Sequence, residues 1–261
     1  MQLPIYQVDA FTDRLFGGNP AAVIPLDSWL PDDLMQAIAV ENNLSETAFF
    51  VKEGESYHIR WFTPATEVKL CGHATLTSAY VLFNILKVAD NPIHFTSLSG
   101  SLYVSKEEEE SMTMDFPIAE MTPCSTPQAL WECLGAHPVE CLKGEDYMAV
   151  FEGEQTLLSL QPDFRQMATL PTRGIIVTAP GEECDFVSRF FAPQSGIDED
   201  PVTGSAHCAT APYWAKKLKK ITLTSIQRSK REGHVLCHVA EDRVRMTGQA
   251  KLFLTGSIHL E

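Results

Sequence analysis

One glutamate in the sequence is a candidate for a base that removes a proton from carbon. Glu46 lies between the apolar residues Leu44 and Ala48, just before a strand-like segment. A carboxylate drawn into apolar surroundings holds its proton more tightly than in water, which suits a general base working near neutral pH. The alternative is an exposed glutamate in a helix–strand turn, since perturbed carboxylates also serve structure.

A second candidate group lies at the start of an apolar helix. His73 follows Gly72 there, and the positive end of a helix lowers the pKa of an imidazole, so a neutral histidine could relay a proton. A capping or packing histidine is the alternative. The neighbouring Cys71 is placed where a helix N-terminus stabilises a thiolate, as a racemase would require.

A similar helix start occurs in the second half of the chain, where Asp200 and Ser205 flank Gly204. Ordinary turn and cap chemistry is the alternative for these residues. Ser205 does not fit a serine hydrolase, because the nucleophile elbow needs a glycine two residues before the serine. A two-thiol racemase is disfavoured, because the nearest thiol, Cys208, lies one turn inside the helix.

The sequence predicts neither a metal nor a cofactor. The segment from His234 to His238 reads as a strand, on which these two histidines share one face and Cys237 points to the other. No zinc-type spacing, dinucleotide fingerprint or phosphate-binding loop is found in the sequence.

The first half of the chain alternates short strands with two helices. The strands are predicted at Ile5–Phe11, Ala21–Ile24, Ala48–Val51, Tyr57–Phe62, His94–Ser97, Leu102–Ser105 and Met112–Phe116. One helix begins near Pro31, and an apolar one, buried on all sides, runs from about Gly72 to Leu86. A proline-rich linker, PIAEMTPCSTP, follows from residue 117, and Thr126 is expected to cap a short helix after it.

The second half repeats this order. A strand ends in Phe-x-Pro in each half, at Phe62 and at Phe191, and a polar loop then leads to the helix that opens with Gly72 or Gly204. Such a repeat predicts an α+β protein of two related domains, each a strand barrel around one apolar helix. The boundaries are residues 1–116 and 117–261, and the last strand, about 250–261, is a segment that could return to the first domain. The two helix N-termini would then face an anion in one cleft.

Composition narrows the classes of partner. The 261 residues carry 34 acidic and 20 basic side chains, a net charge of −14, which disfavours binding to nucleic acid or an anionic membrane. The most apolar stretch, Ala74–Leu86, is too short to span a bilayer, and the first residues lack the pattern of a signal peptide. Seven cysteines without C-x-x-C spacing are expected to be free thiols. We therefore expect a cytoplasmic protein.

Several motifs in a fixed order resemble the PhzF family of phenazine-biosynthesis proteins, which is related to diaminopimelate epimerase. They are VDAFTDRLFGGNPAAV, NLSETAFF, RWFTPATEVKLCGHAT, SLSGSL, DFP and GIDEDPVTGSAHC, and together they cover nearly the whole chain. The resemblance implies two barrel-and-helix domains with the active site between them, a homodimer and no cofactor. The family's best-known activity is the isomerisation of a dihydro-hydroxyanthranilate by a proton shift.

The resemblance also implies roles for individual residues. Glu46 matches the catalytic glutamate of the Ser-Glu-Thr motif, and His73, Asp200 and Ser205 match further catalytic positions. Substrate-binding positions are implied at Asn19, Gly72 and Gly204.

One departure from the family occurs at Glu232, where relatives carry glycine. It could remove a backbone conformation reserved for glycine, or add negative charge beside the cleft.

The residues and the resemblance lead to one hypothesis with two alternatives. The first is a cofactor-independent isomerase that moves a proton between carbons of a small carboxylated metabolite, with Glu46 as base. A racemase or epimerase that uses Cys71 with a carboxylate partner is the second. The third is a non-catalytic binding protein that keeps the family fold.

Overall fold

The computed structural model describes residues 1–108 and 111–260, and the chain in it forms two compact units. The first unit contains Met1–Asp115 and the C-terminal segment from Thr247, and the second contains Phe116–Met246. The second unit thus ends before the last strand, the segment that the sequence analysis named as one that could return to the first domain.

Strands outnumber helices in both units among the described residues. They are β1 Gln2–Ala10, β2 Asn19–Leu26, β3 Glu46–Glu53, β4 Ser56–Phe62, β5 Glu67–Val68, β6 Ile93–Ser97, β7 Gly100–Lys106, β8 Met112–Pro117, β9 Thr122–Pro123, β10 Glu140–Lys143, β11 Tyr147–Val150, β12 Ile175–Pro180, β13 Phe186–Ala192, β14 Ile197–Asp200, β15 Thr222–Gln227, β16 Gly233–Ala240, β17 Arg243–Gly248 and β18 Ala250–His259. The α-helices are α1 Asp32–Asn42, α2 Gly72–Tyr80, α3 Gln128–Leu134, α4 Glu154–Ser159, α5 Phe164–Met167 and α6 Gly204–Leu218. A π-helical segment, Val81–Ile85, continues α2, and a 3₁₀ turn lies at Pro193–Ser195.

In the first unit the strands pair in the order β18, β1, β2, β3, β4, β6, β7 and β8. The pairs β2–β3 and β4–β6 are parallel and the others in this order antiparallel. In the second unit β9 to β13 pair in chain order, and β13 then pairs with β15 and β15 with β16. Here β11–β12 and β13–β15 are the parallel pairs.

Helix α2 forms part of the core of the first unit, and its residues from His73 to Ala79 are all buried. Its hydroxyl groups are satisfied within the helix: Thr75 donates to the carbonyl of Cys71 at 2.6 Å, and Ser78 to that of Ala74 at 2.7 Å. Because these groups bond to preceding carbonyls, the helix can be buried without unpaired hydroxyls. The predicted helix is thus buried on all sides from His73 to Ala79, whereas Leu86, at the end of the predicted range, is exposed.

Helix α6 has the corresponding place in the second unit and contains Pro212. A proline lacks an N–H group, so the carbonyl four residues earlier, that of Cys208, loses its helical donor. The N–H of Ala119 donates to that carbonyl at 3.0 Å instead. A segment from the predicted linker thus completes the hydrogen bonds of α6.

The two units share the same pairing register around their helices. Phe62 lies opposite Thr47 in the β3–β4 pair, and Phe191 lies opposite Ile175 in the β12–β13 pair. In the next pair of each unit, Trp61 lies opposite Val68 and Phe190 opposite Asp200. Val68 and Asp200 each stand four residues before the glycine that opens the helix. The repeat therefore extends to individual positions, so that Glu46 corresponds to Gly174.

Two details differ from the sequence-based expectations. The short helix α3 is capped at Pro127 rather than Thr126, and no side chain caps it. Within the predicted linker, Thr122–Pro123 forms strand β9, which pairs with β10. A short strand of this kind is hard to foresee because its prolines read as linker residues and its pairing depends on a distant strand. No helix among the described residues is long and apolar enough to cross a membrane.

Candidate active site

Glu46 and His73 form a buried ion-pair contact in the first unit. Glu46 is the first residue of β3, His73 the second residue of α2, and the Nε2 atom of His73 lies 3.1 Å from an oxygen of Glu46. The side chains are 13% and 6% exposed. The two atoms are close but poorly aligned for a hydrogen bond. A carboxylate and an imidazole in such contact can exchange or share a proton.

Two further side chains contact the other ring nitrogen of His73. Its Nδ1 atom lies 3.2 Å from the amide nitrogen of Asn19 and 3.5 Å from the sulfur of Cys71. With Asn19 donating, the neutral imidazole carries its proton on Nε2, facing Glu46. When the amide of Asn19 rotates so that its oxygen faces Nδ1, Asn19 can instead accept a hydrogen bond from the imidazolium.

Burial alone lowers the pKa of His73, but the negative charge of its neighbours raises it well above the ordinary value. Cys71 and Glu46 both act in this direction, and Glu46 is the partner that is charged at pH 7, because burial keeps the Cys71 thiol protonated. The expectation that the helix N-terminus lowers this pKa is therefore wrong. A carboxylate in direct contact outweighs the partial charge of a helix end.

The expectation of a stabilised thiolate at Cys71 is also wrong. Burial raises the pKa of its thiol to about 11, and the negative charge of Glu46 acts in the same direction. The expected stabilisation of a thiolate at the helix start is outweighed because the sulfur is shielded from water and lies near a carboxylate.

The backbone around these residues brings them together. The parallel pairing of β2 with β3 sets Ala21 opposite Glu46, so Asn19, the first residue of β2, lies at the same end of the sheet. Gly18 precedes it with φ +61°, and a Cβ there would lie 2.0 Å from the carbonyl oxygen of Ala10. Only glycine fits this turn. Gly72 opens α2, whose first N–H groups have no acceptor within the helix, as at any helix start.

These residues also include metal-ligand types. One donor atom each from Glu46, Cys71 and His73 lies within 4.8 Å of the others. The carboxylate and the thiol, however, contact different nitrogens of the imidazole, and one ion binds only one of these nitrogens. The absence of a resident metal stays a prediction.

In the second unit, Asp200, Gly204 and Ser205 cluster at the start of α6. Asp200 ends β14 and accepts a hydrogen bond from the hydroxyl of Thr203. The amide of the buried Gln227 accepts from the N–H of Thr203 at 2.9 Å and donates to the carbonyl of Asp200 at 2.8 Å. Gln227 therefore holds the loop that leads into α6. That this cluster and the Glu46 group serve one cleft stays a prediction.

Sequence reasoning missed two charged residues in this second group. Arg173 donates to Asp146 through Nε at 3.0 Å and to the hydroxyl oxygen of Ser205 through Nη2 at 3.0 Å. Asp146 is buried, whereas the Arg173 side chain is 38% exposed. Because the oxygen of Ser205 accepts from Arg173, the Ser205 hydroxyl can donate its own proton to another acceptor. An alignment of the two halves could have drawn attention to Arg173. It stands next to Gly174, the position that corresponds to the candidate base Glu46, as Ser45 does in the first half.

The position that corresponds to Glu46 has no carboxylate in the second unit. Gly174 occupies it, and a Cβ there would lie 2.4 Å from the ring of Phe190. Asp146, on the neighbouring segment, is held by Arg173. Cys71 likewise corresponds to Thr203, so the thiol has no counterpart, in agreement with the sequence-based argument against a two-thiol racemase.

Glu232 keeps the backbone conformation whose loss was one of the two alternatives given for this position. Its φ is +55°, in the left-handed region. Its N–H donates to the carbonyl of Ser229 at 3.2 Å, and its carboxylate accepts from Arg228 at 2.8 Å. The first alternative, a lost conformation, is therefore wrong. The added negative charge contacts Arg228, which also pairs with the buried Glu154 at 2.6 Å, so one guanidinium serves both carboxylates.

The comparisons with known proteins agree on one family. The model of the family PhzC-PhzF, described as phenazine biosynthesis-like protein, matches residues 8–256. An uncharacterized isomerase of Pseudomonas aeruginosa is 51% identical over 260 residues and covers 100% of both chains. The crystal structure of a PhzF-family phenazine biosynthesis protein from Enterococcus faecalis is 49% identical, covers 100% of both chains and has a TM-score of 0.97.

A more distant likeness concerns the fold alone. A hydroxyproline epimerase from Agrobacterium vitis is 10% identical, covers 98% of this chain and 92% of its own, and has a TM-score of 0.64. The α+β, epimerase-like fold predicted from the sequence is thereby confirmed.

Proposed function

The chain belongs to the phenazine biosynthesis-like protein family, and we propose that it is a cofactor-independent isomerase with Glu46 as general base. Its substrate would be a small carboxylated metabolite, and its reaction the transfer of a proton between two carbons. One observation carries the proposal: the buried contact of 3.1 Å between Glu46 and Nε2 of His73. In this contact Glu46, a proton acceptor, lies beside His73, which can hold the proton until it returns to the substrate.

In the proposed reaction the Glu46 carboxylate removes a proton from a carbon next to an unsaturated or carboxylated centre. The negative charge that develops on the substrate needs donors, and the N–H groups at the start of α2 are of the required kind. The proton then returns to a different carbon, from Glu46 itself or after passing to His73. No redox change and no covalent intermediate are needed.

The state of Cys71 supports a base other than the thiol. A racemase that uses Cys71 needs a thiolate, and burial keeps this group protonated at neutral pH. The name of the Pseudomonas aeruginosa relative, uncharacterized isomerase, is compatible with either proton-transfer reaction. Asp200 and Ser205 are proposed as further catalytic residues, and Asn19, Gly72 and Gly204 as substrate-binding ones.

The test is solvent deuterium exchange into a panel of small carboxylic acids that includes a dihydro-hydroxyanthranilate, followed by mass spectrometry. We expect wild-type protein to place deuterium on carbon in at least one of them. Glu46→Gln should lose about 10²–10⁴-fold in rate, the typical contribution of a general base. Optical rotation of the product separates epimerisation from a shift of the proton to another carbon.

A matched control exists on the same strand. Glu53, the last residue of β3, lies 3.4 Å from Nδ1 of His58 and forms an exposed pair of the same residue types. Glu53→Gln should exchange at the wild-type rate. If Glu46→Gln also exchanges at that rate, Glu46 is not the base. If no compound of the panel exchanges but one binds with unchanged affinity in both variants, the protein is a binding protein.

A further inference from the structure

Two thiols of the second unit contact each other across a pair of strands. Cys124 directly follows β9, and Cys141 lies in β10, the strand that pairs with β9. The N–H of Cys124 donates to the carbonyl of Cys141 at 2.9 Å, which continues the ladder of Pro123 opposite Leu142. The two sulfur atoms are 3.6 Å apart.

This placement fits the geometry of a disulfide. Residues directly opposite each other in an antiparallel ladder have Cα atoms about 4.5–5.5 Å apart. Disulfides span Cα distances of about 4.4–6.8 Å. Closing the sulfur atoms to a bond of about 2.05 Å therefore requires side-chain rotation and little movement of the backbone.

The two thiols differ in access to solvent. Cys124 is exposed, while Cys141 is buried with 5% of its surface exposed. Burial, together with the hydrogen bond between the Cys141 thiol and Cys124, raises the pKa of the Cys141 thiol to about 12. An oxidant from solvent therefore meets Cys124 first, and Cys141 stands beside it as the resolving thiol.

We propose that Cys124 and Cys141 form an oxidation site that a peroxide converts into an intrachain disulfide. The Cys124 thiolate attacks the peroxide, the O–O bond breaks, and a sulfenic acid forms on Cys124 with release of water or an alcohol. Cys141 then attacks that sulfur, loses its proton, and expels a second molecule of water. The two thiols together lose two electrons, and the peroxide is reduced.

The disulfide would close a loop that contains α3 and would join β9 covalently to β10. A crosslink restricts the unfolded chain, so the oxidised protein should be more resistant to heat than the reduced one. This inference does not depend on the proposed isomerase activity, since none of the residues assigned to catalysis takes part.

The experiment treats the reduced protein with dilute hydrogen peroxide, blocks free thiols with iodoacetamide and maps the product by mass spectrometry. No lysine or arginine lies between Cys124 and Cys141, but Glu132 and Glu140 do. Cleavage after glutamate therefore separates Cys124, Cys133 and Cys141 onto different peptides. We expect the Cys124 and Cys141 peptides to be linked, lighter by two hydrogen atoms than the sum of the thiol forms, and separable by dithiothreitol.

Three variants complete the test. Cys184→Ser removes a partly exposed thiol elsewhere in the second unit and should leave the crosslink and the rise in melting temperature unchanged. Cys124→Ser and Cys141→Ser should abolish both, and Cys141→Ser should leave Cys124 to oxidise further to sulfinic acid. The proposal is overturned if peroxide leaves Cys124 and Cys141 as open to alkylation as Cys184. It is also overturned if Cys124 links to another cysteine or stops at the sulfenic acid in wild-type protein.

Discussion

Glu46 and His73 lie at the starts of two different elements, β3 and α2, and contact each other at 3.1 Å through Nε2. The contact links the acid–base state of one residue to that of the other. Around it, Asn19 and Cys71 contact the remaining nitrogen of the imidazole. The consequences of this arrangement, and of the matching region in the second unit, can be measured.

The first prediction concerns the pKa of His73. Because Glu46 raises this pKa, Glu46→Gln should lower it, as followed by NMR of the imidazole during a pH titration. A raised pKa in the folded state stabilises the protein below the unfolded value of about 6.5, and this stabilisation is lost as pH rises through the folded pKa. Chemical denaturation should therefore show a wild-type advantage over the variant that shrinks as pH rises.

Glu53→Gln is the control and should leave the titration of His73 unchanged. An unaltered titration curve in Glu46→Gln would mean that another group raises the pKa of His73.

The second prediction concerns Cys71. Cys71→Ser keeps a small donor next to Nδ1 of His73 and removes a thiol that is protonated at neutral pH. Most of the turnover in the deuterium-exchange assay should remain, in contrast to the loss in Glu46→Gln. Were the serine variant as inactive as the glutamine variant, the racemase hypothesis with Cys71 would replace the proposed isomerase.

The third prediction concerns Arg173 and Asp146. Arg173→Met leaves the buried Asp146 carboxylate without its charged partner and should cost about 1–3 kcal/mol of the free energy of unfolding. Arg173→Met combined with Asp146→Asn removes the charge as well and should recover part of that loss. Urea denaturation of the single and double variants measures both. Equal stability of Arg173→Met and wild type would show that the ion pair contributes nothing.

The fourth prediction concerns His207, which lies in the first turn of α6 and has no exposed surface. Its Nδ1 donates to the carbonyl of Thr203 at 2.8 Å, and burial lowers its pKa to about 4. A lowered histidine pKa stabilises the folded state above the unfolded pKa of about 6.5, and this stability is lost as pH falls from there toward 4. The loss is at most about 3 kcal/mol.

Urea denaturation between pH 7 and pH 4.5 measures this loss. His207→Gln is less stable at every pH, because its amide replaces a packed ring, but it should lose less stability on acidification than wild type does. His58→Gln changes a partly exposed surface histidine and should lose as much stability on acidification as wild type does. A slope in His207→Gln equal to that of wild type would assign the acid sensitivity to other groups.

Much of the fold could be predicted from the sequence because its signals are local. The apolar run after Gly72, the strand Tyr57–Phe62 and the glycine that opens α6 each follow from neighbouring residues. The repeated Phe-x-Pro segments indicated two related units, and the structure extends the correspondence to single positions. The pairing of β18 with β1 was harder to predict, because it joins the two ends of the chain and no local pattern specifies such a partner.

The sequence alone singled out Glu46, His73, Asp200 and Ser205 as candidates, since each stands at or near the end of a strand or helix within a recognisable motif. Only the tertiary structure decided their surroundings. The protonated state of Cys71, the raised pKa of His73 and the bonds from Arg173 to Asp146 and Ser205 depend on burial and on contacts between residues distant in the chain. Residue type sets what a side chain can do, whereas distance and exclusion of water set its charge and its partners.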